Sequence, residues 1–317
     1  MIERLIGLIL SLVGLTVAPL HAQEYPNRVI RVVVGPGPDI VARVFGVKMG
    51  EVLGQPIVIE PRPGAGGTIA AQTVATSPPD GYTLLLASAS YTINTALQSS
   101  PLDLGKDFAP VGLAATIPFV LVVHPSVPAK TLTELIAHAK ANPRKLNYAS
   151  SGIGTPPHLA GELFKAMAGV DFVHVPYREA NSALNAVVGG TVQMMFSIAS
   201  MAQSQIAAGT VRGIGVTSRE PSPLVPGLPA IAQSGLADFE VIGWNGFVAP
   251  KDTPPPTLRK LNAAIRAGLE DAELRAKLSN AGYEPAAPNG PSDFAKFIAA
   301  DTNQWMHLAA RTNLKTD

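Results

Sequence analysis

The chain contains no cysteine, so disulfides, thiolate metal sites and cysteine nucleophiles are all excluded. Charge is scarce too: 15% of the 317 residues are charged and the formal net charge is +1, which leaves no basic field for nucleic acid. Aromatic residues make up only 6%. With 47% hydrophobic residues, this is the balance of a folded α/β protein and not of a disordered one. Beyond the first two dozen residues no apolar run is long enough to span a bilayer.

Several chemistries are missing as well. Gly64-Ala65-Gly66-Gly67-Thr68 lacks the Lys-Ser/Thr of a P-loop, and the third small residue of a dinucleotide fingerprint falls on Ile69. Ser150 and Ser151 are not in a Gly-x-Ser-x-Gly elbow. His124, His138, His158, His174 and His307 form no i, i+4 metal pair. Glu162 and Asp171 read as helix-surface or turn charges, not as an acid/base pair. The sequence gives no reason to expect a cofactor or a metal, and it points away from an enzyme.

What is present begins with a processing signal. Met1–Ala22 has Arg4 before an apolar stretch, Leu5–Val17, and a small residue at its end. It reads as a secretory signal peptide, with a mature chain starting near Gln23 in the periplasm.

Strands and helices then alternate. Val29–Val34 is β-branched and apolar, as a buried parallel strand should be, and a helix follows from Asp39. Ile57–Ile59 and Tyr82–Ala87 are further strands, with a helix from Thr68 between them. Ala109–His124 holds two strand-like runs around Pro118. Leu132–Ala141 is helical; Phe172–Val175, Val192–Phe196, Val211–Val216 and Phe239–Pro250 are strands; Pro254–Leu314 is mostly helical. This alternation predicts mainly parallel sheets covered by helices on both faces, arranged as two α/β units with the second inserted into the first.

The most informative stretch is Leu146–Gly169, a strand, a glycine-broken turn and a helix. Ser150, Ser151, Gly152, Gly154 and Thr155 form the turn, Pro156 and Pro157 suit a first helical turn, and Gly169 suits its end. Free N–H groups and the positive end of a helix dipole attract a carboxylate there. The donors expected are the amides of Gly154, Thr155 and His158 and the hydroxyls of Ser150, Ser151 and Thr155. Other strand ends also carry small or polar residues, at Gly35–Pro38 and Ser88–Thr92. Such a surface can hold a small anion and is poorly equipped to break bonds.

Several stretches together carry a resemblance. They are YPNRVIRVVV, VLGQPIVIEPRPGAGGTIAA, PPDGYTLLLAS, KDFAPVGLAA, LVVHPSVPAKTLTELIAHAKANPRKLNYASSGIGTPPHLAGELFKAMAGVDFVHVPYR and GTVRGIGVTS. The chain resembles the tripartite tricarboxylate transporter substrate-binding family, the Bug-type receptors, from Tyr25 to Leu314. The resemblance implies a type II periplasmic-binding-protein fold: two α/β lobes joined by crossing strands, with a ligand cleft between them. It implies residues 23–118 and 241–317 in one lobe and 119–240 in the other, with Ala114–Val120 and Val241–Phe247 crossing. The implied ligand is a small organic carboxylate. The implied partners are the integral membrane subunits of a transporter, and a monomer is expected. A receptor that presents its ligand to a membrane sensor is the alternative left open.

The site residues implied are Gly35, Pro36 and Gly37 after the first strand, Ser88, Ser90 and Tyr91 after the third, the Ser150–Thr155 turn, Tyr177, and Ser197. Three positions depart from the family pattern. The loop Gly35–Asp39 is a few residues shorter and lacks an aromatic. Glu179 stands where glycine follows the Tyr-Lys/Arg pair, and Ser197 stands where aspartate is frequent. The missing aspartate removes either a partner for a ligand ammonium or a solvated helix cap, and the first of these favours a carboxylate without an amino group.

Overall fold

In the computed structural model of this chain, residues 25–35, 39–64, 67–97 and 100–312 are described. The signal-peptide reading of Met1–Ala22 and the candidate site residues Pro36 and Gly37 lie outside them. Ile30–Val34 (β1) pairs in parallel with Ile57–Pro61 (β2) and with Thr83–Ser88 (β3). Ile40–Leu53 (α1) and Thr68–Ala75 (α2) are the crossovers. The face that α1 buries carries Val41, Phe45 and Met49, spaced at the helical period.

After β3 come Ala89–Ala96 (α3) and the short Leu104–Asp107 (α4). Phe108–Val123 (β4) is a single strand of 16 residues, not two runs. Leu132–Ala141 (α5), Asn147–Ser150 (β5), Pro156–Ala168 (α6), Val173–Pro176 (β6), Ala180–Val188 (α7), Met194–Ile198 (β7), Ala199–Ala207 (α8) and Arg212–Val216 (β8) follow. The chain returns on Ile242–Pro250 (β9) and ends with Pro255–Glu270 (α9), Ala272–Asn280 (α10), the two-residue Glu284–Pro285 (β10) and Pro291–Thr312 (α11).

The sheet order is β2-β1-β3-β9-β4-β7-β5-β6, with β8 and β10 also pairing β4. The expectation of mainly parallel sheets needs correction. Pairs β1–β2, β1–β3, β5–β6 and β5–β7 are parallel, but all five pairings made by β4 or β9 are antiparallel. The reason is the route of the chain. It leaves the first half on β4 and comes back on β9, so these two strands must run in opposite directions.

β4 belongs to both halves. Phe108–Pro118 pairs with β9, and Phe119–Val123 pairs with β7 and β8. Pro118, which has no N–H to donate, sits where the partner changes. Along the second part the side chains alternate between two cores. Phe119, Leu121 and Val123 join the large aromatic cluster, while Val120 and Val122 pack under α7 and α8. That is the period-2 pattern of a strand covered on both faces. The large cluster contains Phe164 of α6, Phe196 of β7, Phe239, Trp244 of β9 and Phe294 of α11, so it joins the two halves. A second core lies between β1, β3, the first half of β4 and helices α1, α9 and α10.

Two local readings also change. Ser88–Thr92 was expected as an exit loop, but α3 begins at Ala89 directly after β3. The strand expected at Val192–Phe196 is shifted to Met194–Ile198 and runs straight into α8, which the sequence did not suggest. The α8 sequence, ASMAQSQIA, buries only Ala199 and Ala202, so its apolar stripe is faint.

Candidate functional site

A cavity of about 230 Å³ lies where the ends of β3 and β7 meet the two crossing strands β4 and β9. One wall comes from strands: Ile117 and Phe119 of β4, Met195, Phe196 and Ile198 of β7, and Gly243, Trp244 and Asn245 of β9. The other comes from helix starts: Ser88, Ala89 and Ser90 at α3, Thr155, Pro156 and Pro157 at α6, and Ala180 at α7. Ser151 and Tyr283 complete the lining. Ile198 is also the residue from which α8 departs. Four helices therefore begin at this cavity, each near the carboxyl end of a strand.

None of these four helices has a side-chain cap on its N-terminus. By contrast, Asp103, Thr131 and Asp271 accept from the first-turn amides of α4, α5 and α10. Helices α1, α2 and α9 also lack such a cap. An uncapped start leaves N–H donors and the positive end of the dipole available to a ligand, although at α6 Pro156 and Pro157 have no N–H to offer. Among the described residues the lining carries no Asp, Glu, Lys, Arg or His. Its one titratable side chain is Tyr283, whose phenol burial holds above its ordinary range and therefore neutral. Hydroxyls of Ser88, Ser90, Ser151 and Thr155 and the amide of Asn245 supply neutral polarity.

The Ser150–Thr155 turn is internally bonded. Ser150 is fully buried; its Oγ accepts from the Gly152 amide and donates to the Gly152 carbonyl, each at 3.1 Å. Thr155 Oγ1 donates to the same carbonyl at 2.7 Å. The Gly154 amide donates to His158 Nδ1 at 3.1 Å. Gly152 and Gly154 take φ of 129° and 75°, a region that a side chain disfavours, so glycine is needed at both. Of the donors expected here, the Ser150 and Thr155 hydroxyls and the Gly154 and Thr155 amides are thus spent inside the turn, while the residues Ser151 and Thr155 line the cavity.

The remaining candidates lie apart from the lining. Tyr91 is buried and donates its hydroxyl to the Gly67 carbonyl at 3.3 Å. A Cβ on Gly35 would come within 2.7 Å of that hydroxyl, so Gly35 and Tyr91 meet each other. Tyr177 packs on the core under α7 and α8, and its amide donates to the Ser150 carbonyl at 3.0 Å. Ser197 is fully buried in β7, and its strand neighbours Phe196 and Ile198 line the cavity instead. The sequence pattern and the resemblance make Ala114–Val120 and Val241–Phe247 crossing strands but do not place Ile117, Phe119 or Asn245 at the site. Their periodicity gave only burial, and nothing local pointed to Tyr283.

One buried and one half-buried network stand behind the lining. Asp301 Oδ2 accepts from Thr92 Oγ1 at 2.5 Å and from Trp244 Nε1 at 2.9 Å, tying α11 to α3 and to β9. Burial pushes this carboxyl above the usual range. On the other side, Tyr148 donates to Glu162 Oε1 at 2.6 Å, and Lys165 Nζ lies 3.0 Å from both oxygens of Glu162. The His174 ring lies between those of Tyr148 and His158. Burial, and then the neighbouring His158, push His174 down to about 4.

That depression has a sign. An unfolded His174 titrates near its ordinary value of 6.5. Below that value the unfolded chain binds more protons than the folded one, so stability is full above it and is lost as pH falls toward about 4. Urea midpoints measured across this window should fall with acid in the wild type. They should fall less in His174→Gln, and parallel curves would contradict the assignment.

Residues 41–314 match the family described as "Tripartite tricarboxylate transporter family receptor". A relative in Pseudomonas sp. (strain P51), "UPF0065 protein in tcbD-tcbE intergenic region", is 35% identical over 99% of this chain and 95% of its own. Among solved structures, the periplasmic binding protein BugD is 31% identical with a TM-score of 0.77, covering 92% of this chain and 100% of that one. Rpa4515 of R. palustris, solved with adipate, is 31% identical with a TM-score of 0.79, covering 92% of this chain and 99% of that one. MatC (Rpa3494) of Rhodopseudomonas palustris, solved with bound malate, is 33% identical with a TM-score of 0.75, covering 90% and 99%. The family and these neighbours are binding proteins, not enzymes. With its two α/β lobes, crossing strands and cleft, this chain has the periplasmic-binding-protein fold and belongs to the tripartite tricarboxylate transporter family of receptors.

Proposed function

We propose that the protein captures a small organic carboxylate without an amino group in this cavity and delivers it, in the periplasm, to the integral membrane subunits of a tripartite tricarboxylate-type transporter. One observation carries the ligand class: uncapped helix starts surround a cavity whose described lining has no charged side chain. Aligned amides can hold an anion without a counter-ion. An ammonium would be buried there with no carboxylate to pair it, which is costly. Adipate and malate, bound by the neighbours Rpa4515 and MatC, are acids of the proposed class.

In this reading Met1–Ala22 directs export and is removed. Residues 23–118 and 241–317 form one lobe and 119–240 the other. The lobes close by bending within Ala114–Val120 and Val241–Phe247, where β4 changes partners. Ser88, Ser90 and Ser151 contact the carboxylate directly, and Thr155, whose hydroxyl donates to the Gly152 carbonyl, lines the site beside them. Gly35, Tyr91, Ser150, Gly152, Gly154, Tyr177 and Ser197 shape the walls, with Pro36 and Gly37 adjoining them.

A thermal-shift panel tests the ligand class. Malate, adipate or a simple monocarboxylate should raise the melting temperature, by the equivalent of about 2.7 kcal/mol at a hundredfold excess over Kd. The stabilising acid should also reduce the radius of gyration in solution scattering. Stabilisation by aspartate or glutamate alone would overturn the class, and an unchanged radius at saturation would overturn the closure.

A further inference from the structure

The Ser150–Thr155 turn is held from behind by a column of rings. Tyr148 of β5 stacks on His174 of β6 at 4.8 Å and 25°, and His174 stacks on His158 of α6 at 4.2 Å and 26°. Two ring nitrogens reach the turn. His158 Nδ1 accepts from the Gly154 amide at 3.1 Å, and His174 Nε2 lies 2.7 Å from Ser150 Oγ. Only an unprotonated ring nitrogen can accept from an N–H. A proton on Nδ1 would set two donors head to head and release Gly154. Two residues of the cavity lining ride on this turn: Ser151 precedes Gly152 and Thr155 follows Gly154.

We propose that His158 is a positioning residue of the carboxylate site: its unprotonated Nδ1 pins the Gly154 amide, and a proton there loosens the turn and weakens capture of the carboxylate. The proposal rests on the reading of the cavity as the carboxylate site. The groups facing the imidazole pair are the Tyr148 hydroxyl and Ser150 hydroxyl of β5 and the Glu162 and Lys165 side chains of α6. Burial opposes a proton on His158 most strongly; Glu162 favours one, and Lys165 opposes it. Glu162 already pairs with Lys165 and accepts from Tyr148, so its pull on the rings is partly answered nearby. The stacked rings repel each other's charge, so they take up protons as a coupled pair.

The test follows the Gly154 amide by NMR in isotope-labelled, ligand-free protein, together with the His158 ring signals, from about pH 7.5 to about pH 4. The Gly154 signal should move with the same midpoint as the His158 ring. His158→Asn keeps an acceptor near the place of Nδ1 and should hold the Gly154 signal near its wild-type position without that step. His158→Phe should lose it. A Gly154 signal that ignores the titration of His158 overturns the proposal, and so does a folded His158→Phe whose Gly154 amide stays protected from exchange. Adipate binding, measured by calorimetry, supplies the functional arm. From high to low pH the wild type should lose about tenfold more affinity than His158→Asn, which reports the protonation of adipate itself. Wild-type protein that binds adipate with the same pH profile as His158→Asn also overturns the proposal. Wild-type protein that fails to bind adipate at any pH counts against the carboxylate reading, while the Gly154 signal still decides the role of His158.

Discussion

Asp301→Ala is expected to destabilise the fold by about 2 kcal/mol, chiefly because it leaves a buried indole N–H without its acceptor. Trp244 is fully buried in β9, and its Nε1 donates to Asp301. Thr92 loses less, because its hydroxyl also reaches the Ala89 carbonyl at 2.8 Å. One effect acts the other way: the variant no longer buries a carboxyl that would rather be solvated. The orphaned donor outweighs that relief, since breaking a buried polar network from one side is reliably costly. Asp301→Asn keeps an acceptor and should lie within about 1 kcal/mol of wild type. Urea unfolding measures both, and near-ultraviolet circular dichroism reports whether Trp244 keeps its surroundings. An alanine variant as stable as wild type would show that Asp301 does not tether α11.

Gly161→Val should cost about 3 kcal/mol by overpacking. A Cβ at Gly161 would overlap Cε2 of the buried Tyr148 ring, so either the ring or α6 must move. Helix propensity pulls the other way, because valine is better than glycine in a helix interior by a few tenths of a kcal/mol. The clash wins by a wide margin. Its consequence reaches the site, because Tyr148 is the outer ring of the column behind the Ser150–Thr155 turn. The check is a denaturation curve together with adipate or malate binding. A stable variant with an unmoved Tyr148 would refute the packing argument.

The elements most legible in the sequence were those with strong local signals. β1 followed from a β-branched run and the start of α1 from Asp39, but the face that α1 buries did not: Val47 and Val52 are exposed, while Val41, Phe45 and Met49 are buried. Pro156 and Gly169 marked both ends of α6 where they were expected to, and Gly169 does take the left-handed conformation; Thr155 holds the N-cap position, but its side chain bonds back to Gly152 and does not cap the helix. What stayed hidden depends on distant parts of the chain. Nothing near Phe108–Val123 says that one strand would serve two halves, and Pro118 made it look like two. The cavity wall formed by Ile117, Phe119 and Asn245 exists only because β4 and β9 pair across more than a hundred residues of sequence. The turn at Ser150–Thr155 was legible as a turn. Which of its donors face inward was not, because the Gly152 carbonyl takes the Ser150 and Thr155 hydroxyls, and His158 takes the Gly154 amide.

The position of β9 constrains the order in which the molecule can be completed. In the sheet it lies between β3 and β4, yet in the chain it comes after everything in the second half. Until Ile242–Pro250 inserts, β3 and the first part of β4 each present a bare row of backbone donors and acceptors. Such open edges invite pairing with other chains. They also mean that the first 120 residues have no finished sheet to settle into on their own. The long loop closures involved are slow compared with local helix formation. The protein is therefore made as a chain that stays unfinished until its last quarter exists, and a fragment ending before Ile242 should be prone to aggregate.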